Sequence, residues 1–367
     1  MSLMRFLLVG GFLGAGKTTT IARLAKSYCE QGLKVGIVTN DQAGDLVDTH
    51  SLRAAGFDVG EVAGSCFCCN FNGLAQVVSE LEEHAHPDII LAEPVGSCTD
   101  IVATVIQPLR HLHQGKFRVS PYGVILKPSH GKKILGNLPK AGFSPKAAYI
   151  FRKQLEEADF LIINRIDELD ATEIQELAHL LATEYPGVPQ VRISAKTGDG
   201  FAALEELLDQ DGEFGRRILE LDYDIYAEGE AELGWLNSRL NLKASQPVAM
   251  DELALRIVRR LQETFRACDA EPAHLKTIVM APDACAVANL VSSDSPAVLS
   301  RAADKQFTDV DVIVNARVAI DPEELARQVE STVRTVCREL GGEALFQQTQ
   351  SFRPGRPNPT YRYADAV

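Results

Sequence analysis

The stretch Gly10–Thr20, "GGFLGAGKTTT", constrains the fold more than any other part of this 367-residue chain. It contains Gly11-x-x-x-x-Gly16-Lys17-Thr18, a phosphate-loop spacing, directly after the apolar run Phe6–Val9. A segment follows whose apolar residues Ile21, Leu24, Ala25 and Tyr28 recur at helical spacing, until Gly32 ends it. A glycine-rich turn from strand to helix lets backbone N–H groups curl around an anion at the positive end of the helix. Gly11, Gly14, Ala15 and Gly16 build that cradle. Lys17 reaches the β and γ oxygens of a triphosphate, the Thr18 hydroxyl ligates magnesium, and Thr19 completes the binding set. A glycine turn without a ligand is the plain alternative, and the complete motif in this context argues against it.

The first half of the chain continues in the same style. Strand-like runs at 35–39, 89–92, 122–126, 160–163 and 191–193 alternate with helical patterns at 74–86, 99–113, 146–158, 172–184 and 201–209. Such alternation predicts an α/β domain over 1–210, a mostly parallel sheet flanked by helices. After Asp211 the texture changes. "YDIYAEGEAELGWLNSRLNLK" alternates like an exposed strand or hairpin, and "MDELALRIVRRLQETF" is an amphipathic helix. Three strand candidates then precede a last helix opened by Asp321-Pro322. These predict a smaller α+β domain over 222–345, a candidate client-binding element, and an extended proline-rich tail over 346–367. A formal charge of −13 argues against a nucleic-acid partner, which would need a basic footprint. No run approaches the roughly 20 apolar residues of a membrane-spanning helix, so no membrane partner is expected. The opening "MSLMRFLLVGG" runs into glycines and a lysine without a small-residue cleavage site. Eight cysteines are too sparse for a secreted disulfide framework, so a cytoplasmic protein is expected.

"LIINRID" delivers Asn164-Arg165-Ile166-Asp167 at a strand end. An aspartate there can accept two hydrogen bonds from the guanine edge, which adenine cannot supply. Asn164 can contact the base and tie the loop, while the Arg165 stem lies over the ring. Ser194-Ala195-Lys196 offers a companion backbone N–H to the base oxygen. Together these favour GTP over ATP. "IILAEPVGSCTD" ends a strand in Glu93, placed for magnesium, and Gly96, able to give its N–H to a γ-phosphate and swing away after hydrolysis. Ser97 or Thr99 can cap the helix that follows. "VTNDQAGDLVD" adds Asp41, Asp45 and Asp48. The expected magnesium set is Thr18, Asp41 and Glu93, and the expected catalytic set is Lys17, Glu93 and Asp45.

"GSCFCCN" places Cys66, Cys68 and Cys69 within four positions. In an extended segment Cys66 and Cys68 face one side; in a helical turn Cys66 and Cys69 meet instead. All three converge if the backbone bends, which Gly64, Asn70 and Gly73 permit. A soft trithiolate suits zinc or another late divalent ion. A Cys66–Cys69 redox pair and plain apolar filling remain alternatives. Cys98 can approach the same place or simply pack. Cys29, Cys268, Cys285 and Cys337 are expected in the core, and the pairs His84/His86 and His111/His113 at solvated helix ends.

G-F-L-G-A-G-K-T-T, C-x-C-C, E-x-x-G and N-[KR]-x-D, in this order, resemble the CobW/HypB/UreG family of metal-handling GTPases, in particular its CobW-like branch, over roughly residues 5–210. The resemblance implies a phosphate-loop NTPase domain that binds GTP or GDP with Mg²⁺. It implies delivery of Zn²⁺ or Co²⁺ from Cys66, Cys68 and Cys69 to a client metalloprotein or metallocofactor enzyme, as in cobalamin biosynthesis, and a possible homodimer. GTP turnover should be slow unless stimulated, because no arginine finger is evident. Three departures stand out: Arg165 where the family carries Lys, no histidine-rich tract, and a basic segment at 127–146 read as a docking or surface loop. Alternatives are an ATP-dependent small-molecule phosphotransferase and a GTP-dependent partner-binding switch with a structural zinc.

Overall fold

A computed structural model describes residues 3–42, 47–136 and 144–367. The chain divides into two compact units: residues up to Gln42 with Phe57–Gly229 and Arg356–Val367, and the stretch ending at Gly56 with Glu230–Gly355. The first unit contains β1 (Met4–Gly11), α1 (Lys17–Glu30) and β2 (Val35–Asp41). The chain then forms α2 (Val47–Arg53), which belongs to the second unit, and returns as β3 (Asp58–Ala63), α3 (Phe71–Ala85) and β4 (Ile89–Glu93). A π-helical turn at Val102–Ile106 leads into α4 (Gln107–Leu112), β5 (Phe117–Val119), β6 (Gly123–Leu126), α5 (Pro128–Leu135) and α6 (Pro145–Glu156). Then come β7 (Phe160–Ile163), α7 (Ala171–Glu184), β8 (Gln190–Arg192), α8 (Phe201–Leu208) and α9 (Tyr223–Glu230).

These strands form one eight-stranded sheet in the order β3-β2-β4-β1-β6-β7-β8, with β5 also on β1. Every pairing in it is parallel. A parallel sheet covered on both faces needs strands that are apolar throughout, and Phe6–Val9, Ile89–Ala92 and Phe160–Ile163 are buried without a break. The order sets β2, β4 and β1 side by side, so Asp41, Glu93 and Gly11 all lie at the carboxyl ends of adjacent parallel strands, outside which ligands of open α/β sheets bind.

The second unit is an antiparallel sheet in the order β12-β11-β10-β13-β9-β14. Its strands are β9 (Gly234–Ala249), β10 (Pro272–Ala281), β11 (Ala284–Leu290), β12 (Val298–Arg301), β13 (Gln306–Val318) and β14 (Gly342–Phe352). Two helices, α10 (Met250–Ala267) and α11 (Pro322–Glu339), bury Leu253, Ile257, Leu261, Phe265, Val329, Val333 and Val336 in the core they share with that sheet. Asp321 caps α11, accepting from Glu323 N at 3.0 Å and Glu324 N at 3.3 Å ahead of Pro322. A separate cluster joins Val47 of α2 to Ile278, Cys285, Val287 and Ile313. Lys276 pairs with Asp48, and Arg301 donates to Ser51 O at 3.2 Å and Ala54 O at 2.9 Å.

Several sequence expectations are corrected. The segment read as an exposed strand or hairpin at 223–243 begins with α9 and enters one long strand, β9, because Tyr226 and Glu230 turn inward at helical spacing. Residues 346–352, expected in the tail, finish β14 against β9. Part of the presumed 127–146 loop is α5, which buries Pro128, His130, Ile134 and Leu135; residues 137–143 lie outside the described residues. Cys29 and Cys268 are exposed rather than core, whereas Cys285 and Cys337 are buried. No helix among the described residues is long and apolar enough to cross a membrane. Phe265→Ala would leave a cavity in the second core and should cost about 3–5 kcal/mol, read as a lowered urea midpoint for that unit.

Candidate functional site

The cradle after β1 needs backbone that only glycine adopts without strain. Gly11, Gly14 and Gly16 have φ of 138°, 70° and 99°. A Cβ on Gly11 would sit 2.2 Å from Ile125 O, and one on Gly16 2.3 Å from Asn164 Nδ2. Lys17 is buried at the first position of α1 and donates to Gly11 O at 2.8 Å and Phe12 O at 3.4 Å, folding back over the loop it follows. The Thr18 hydroxyl donates to Glu93 Oε1 at 2.9 Å, so two hard oxygen groups meet beside the phosphate loop. Thr19 is exposed on α1. Asp41 ends the neighbouring strand β2; Asp45 lies outside the described residues.

Gly96 stands against the cradle, where a Cβ would meet Leu13 Cδ2 at 2.7 Å and Leu13 Cα at 3.1 Å. At the start of the helix beyond, the buried carboxyl of Glu157 accepts from Val102 N at 3.1 Å and Thr99 Oγ1 at 3.4 Å. Burial pushes the Glu157 carboxyl well above the usual range.

The base-side loops meet at Asn164. Its Nδ2 donates to Ala15 O at 2.8 Å, and its Oδ1 accepts from Arg165 N at 2.7 Å and Ala195 N at 2.9 Å. One amide thus ties the phosphate loop to the turn after β7 and the turn after β8. Asp167 accepts the Ser194 hydroxyl at 2.6 Å. Arg165 adopts φ 62° and pairs with Glu168 at 3.0 Å. Arg23 of α1 donates to Ala195 O at 3.0 Å and Lys196 O at 2.8 Å.

Beyond β3, Gly64 turns the chain with φ 85° and a single helical turn carries the cysteines, Asn70 N donating to Cys66 O at 2.9 Å. The bend brings all three sulfurs within 4.8 Å of one another, the one such convergence of three His, Cys, Asp or Glu ligand atoms among the described residues. Cys66 Sγ lies 2.9 Å from Cys68 Sγ, which lies 3.8 Å from Cys69 Sγ. Hydrogen bonds from Cys68, Cys69 and Cys98 hold the Cys66 thiol well below its usual range. Hydrogen bonds to Cys66, Cys69 and Cys98 raise Cys68 far above it, and the bond to Cys66 pushes Cys69 to about 11. The three sulfurs thus form one hydrogen-bonded cluster.

Two supports of this cluster carry no signal in the cysteine motif. Asn40, the buried residue before Asp41, donates to Val62 O at 2.8 Å and Ser65 O at 2.7 Å and accepts from Phe67 N at 2.8 Å. The chain terminus supplies the other. Asn358 N donates to Cys69 Sγ at 3.3 Å, Thr360 N to Cys68 O at 2.9 Å, and Thr360 Oγ1 to Cys69 O at 3.0 Å. Tyr361 stacks edge-on to Phe71 with centroids 5.5 Å apart, and Arg362 pairs with buried Asp100 at 2.7 Å. The proline-rich terminus is a strap on the cysteine turn. The histidine pairs stay apart from it as ligands: His84 bonds to Glu80 O at 2.7 Å and His111 to the Tyr363 hydroxyl at 2.6 Å.

The nucleotide-binding domain of CobW/HypB/UreG matches residues 5–191, more than half of the chain. The chain belongs to the CobW/HypB/UreG family. A urease accessory protein UreG from Metallosphaera sedula is 29% identical over 219 residues, covering 55% of this chain and 91% of that protein. A zinc chaperone CobW from a Sinorhizobium species is 26% identical over 222 residues, covering 53% of this chain and 60% of that protein. The solved structure of the hydrogenase maturation factor HypB from Archaeoglobus fulgidus aligns with 17% identity and a TM-score of 0.40, over 56% of this chain and 88% of that one. For this CobW/HypB/UreG member the nucleotide-binding domain and the cysteine trio lie in the matched region.

Gly16→Ala forces a strained φ and displaces Asn164, and should weaken nucleotide binding at least about tenfold, the loss of one or two net hydrogen bonds, in a fluorescent-nucleotide titration. Removing 356–367 takes away the strap, so amide exchange at 66–71 should speed up in hydrogen–deuterium exchange while exchange in β7 stays unchanged.

Proposed function

We propose that this chain is a GTP-binding, GTP-hydrolysing metal-delivery factor. Its cargo, Zn²⁺ or Co²⁺, is held on Cys66, Cys68 and Cys69, and its grip is set by the bound nucleotide. The recipient is a client metalloprotein or metallocofactor enzyme. The observation that carries the reading is Asn40. Its amide holds the cysteine turn through two hydrogen bonds, to Ser65 O and from Phe67 N, and the end of β3 through a third to Val62 O, and it sits one residue before Asp41 at the end of β2. A movement of that strand end on nucleotide exchange would reach the sulfurs through one side chain.

The site residues suit the remaining roles. Lys17 binds the β and γ oxygens, and Thr18, Glu93 and Asp41 would hold Mg²⁺, which supplies charge neutralisation at the phosphates. Asp167, positioned by Ser194, reads the guanine edge, while Asn164 and Ala195 fix the loop that presents it. Arg165 and Arg23 are engaged in the base-side loops, which leaves transition-state charge to Lys17 and the metal and makes unstimulated turnover slow. Relatives that are zinc chaperones favour zinc as cargo. Reciprocity requires that a nucleotide which tightens metal binding be tightened by metal to the same degree.

Titrating the reduced protein with Zn²⁺ and Co²⁺, alone, with Mg·GDP and with a non-hydrolysable GTP analogue, should give the highest affinity with the analogue. Equal affinity in all three states would refute the gating. Asp167→Asn should cut GTP preference over ATP by about ten- to a hundredfold, the value of one hydrogen bond to a charged group; an unchanged preference would remove Asp167 from base selection.

A further inference from the structure

We propose that Cys98 is the fourth thiolate of the metal site, so that a bound late divalent ion joins the turn after β3 to the loop after β4. This rests on the reading of Cys66, Cys68 and Cys69 as a metal site and adds the ligand that closes it.

Three thiolates leave one position of a tetrahedral ion to fill. No carboxylate or imidazole of the described residues joins the trio within 4.8 Å. Asp100, the nearest acidic residue along this loop, is held by the Tyr223 hydroxyl at 2.8 Å and Arg362 at 2.7 Å, and its oxygens are not among the atoms that converge with the sulfurs. Cys98 stands just outside the trio, but its thiol shares side-chain hydrogen bonds with both Cys66 and Cys68. It comes from a different loop and is 1% exposed, as buried as Cys66 and Cys68 themselves.

The backbone that carries Cys98 is held firmly. Cys98 N donates to Val95 O at 2.9 Å, and buried Gln154 donates to Gly96 O at 3.1 Å and Cys98 O at 2.8 Å. One amide group thus fixes both the glycine that packs on Leu13 of the phosphate loop and the cysteine that meets the metal trio. A four-sulfur set is coordinatively closed, the character of a holding site, whereas three sulfurs leave a position for a recipient's ligand. Because Cys98 lies two residues from Gly96, a shift of Gly96 against the cradle would move this sulfur, while Cys66, Cys68 and Cys69 remain on their own turn. Cys98 is in this sense the ligand through which nucleotide state would open the site.

The test uses the full-length reduced protein and Co²⁺ as the probe, with sulfur counting by X-ray absorption on the Zn²⁺-loaded wild type. The expected result is a first shell of four sulfurs with the GTP analogue. Cys98→Ser and Cys98→Ala should keep one ion per chain, lower the thiolate-to-cobalt absorbance by about a quarter, and weaken binding at least about tenfold, the lower range for losing even an outer-shell partner. Cys66→Ser serves as the reference for losing one sulfur. A wild-type shell of three sulfurs plus a lighter atom, with absorbance unchanged in Cys98→Ser but lowered in Cys66→Ser, overturns the role of Cys98 and leaves the trio intact as a metal site. A wild type with no thiolate-to-cobalt band at all overturns the metal reading itself. Since the absorption count is made on the wild type, it decides the matter even if a Cys98 variant folds poorly.

Discussion

Parallel strands end with backbone groups that the sheet no longer pairs, and here buried asparagine amides take them up. Asn164 closes the carbonyl of Ala15 and the N–H groups of Arg165 and Ala195. Asn40 does the same for Val62, Ser65 and Phe67. A side-chain amide offers donors and an acceptor in one plane, so a single residue can satisfy loops that approach from different strands. Buried as they are, these bonds are costly to leave unmade. The phosphate cradle, the base loops and the cysteine turn all take their positions from these two amides.

Much of the first unit was legible because its signals are local. The strand Phe160–Ile163 and the helices beginning at Lys17 and Phe201 announce themselves by apolar periodicity, and the glycine spacing fixes the cradle. Glu93 and Thr18, far apart in the chain, were both marked as magnesium ligands and do meet. The convergence of the three cysteines was readable only as a possibility, since it depended on a bend that Gly64 and the turn at Asn70 provide. What stayed hidden was long-range. Nothing in the pattern of "SFRPGRPNPTYRY" says that Asn358 and Thr360 bond to the cysteine turn, and nothing local says that Glu157 accepts from the start of the helix beyond Gly96. Short strands such as β3 and β5 were missed because neither is apolar enough to stand out.

The second unit shows the same division. The helices α10 and α11 carry strong 3–4 spacing and were found within a few residues, with Asp321 and Pro322 marking the start of α11. The strand β9 was misjudged at its beginning because alternation in a strand and the inward face of a short helix such as α9 look alike over so few residues.

The placement of α2 has a consequence for how the chain can be divided. Passing along the sequence, the polypeptide changes from one unit to the other four times, after Gln42, Gly56, Gly229 and Gly355. Neither unit is therefore a continuous piece of chain. A protease that cuts once anywhere in these connections leaves the two units covalently joined, and a fragment ending near residue 210 carries α2 without the Ile278, Val287 and Ile313 surface that buries Val47. An exchange of the C-terminal half alone would separate this inserted helix from the surface it packs on.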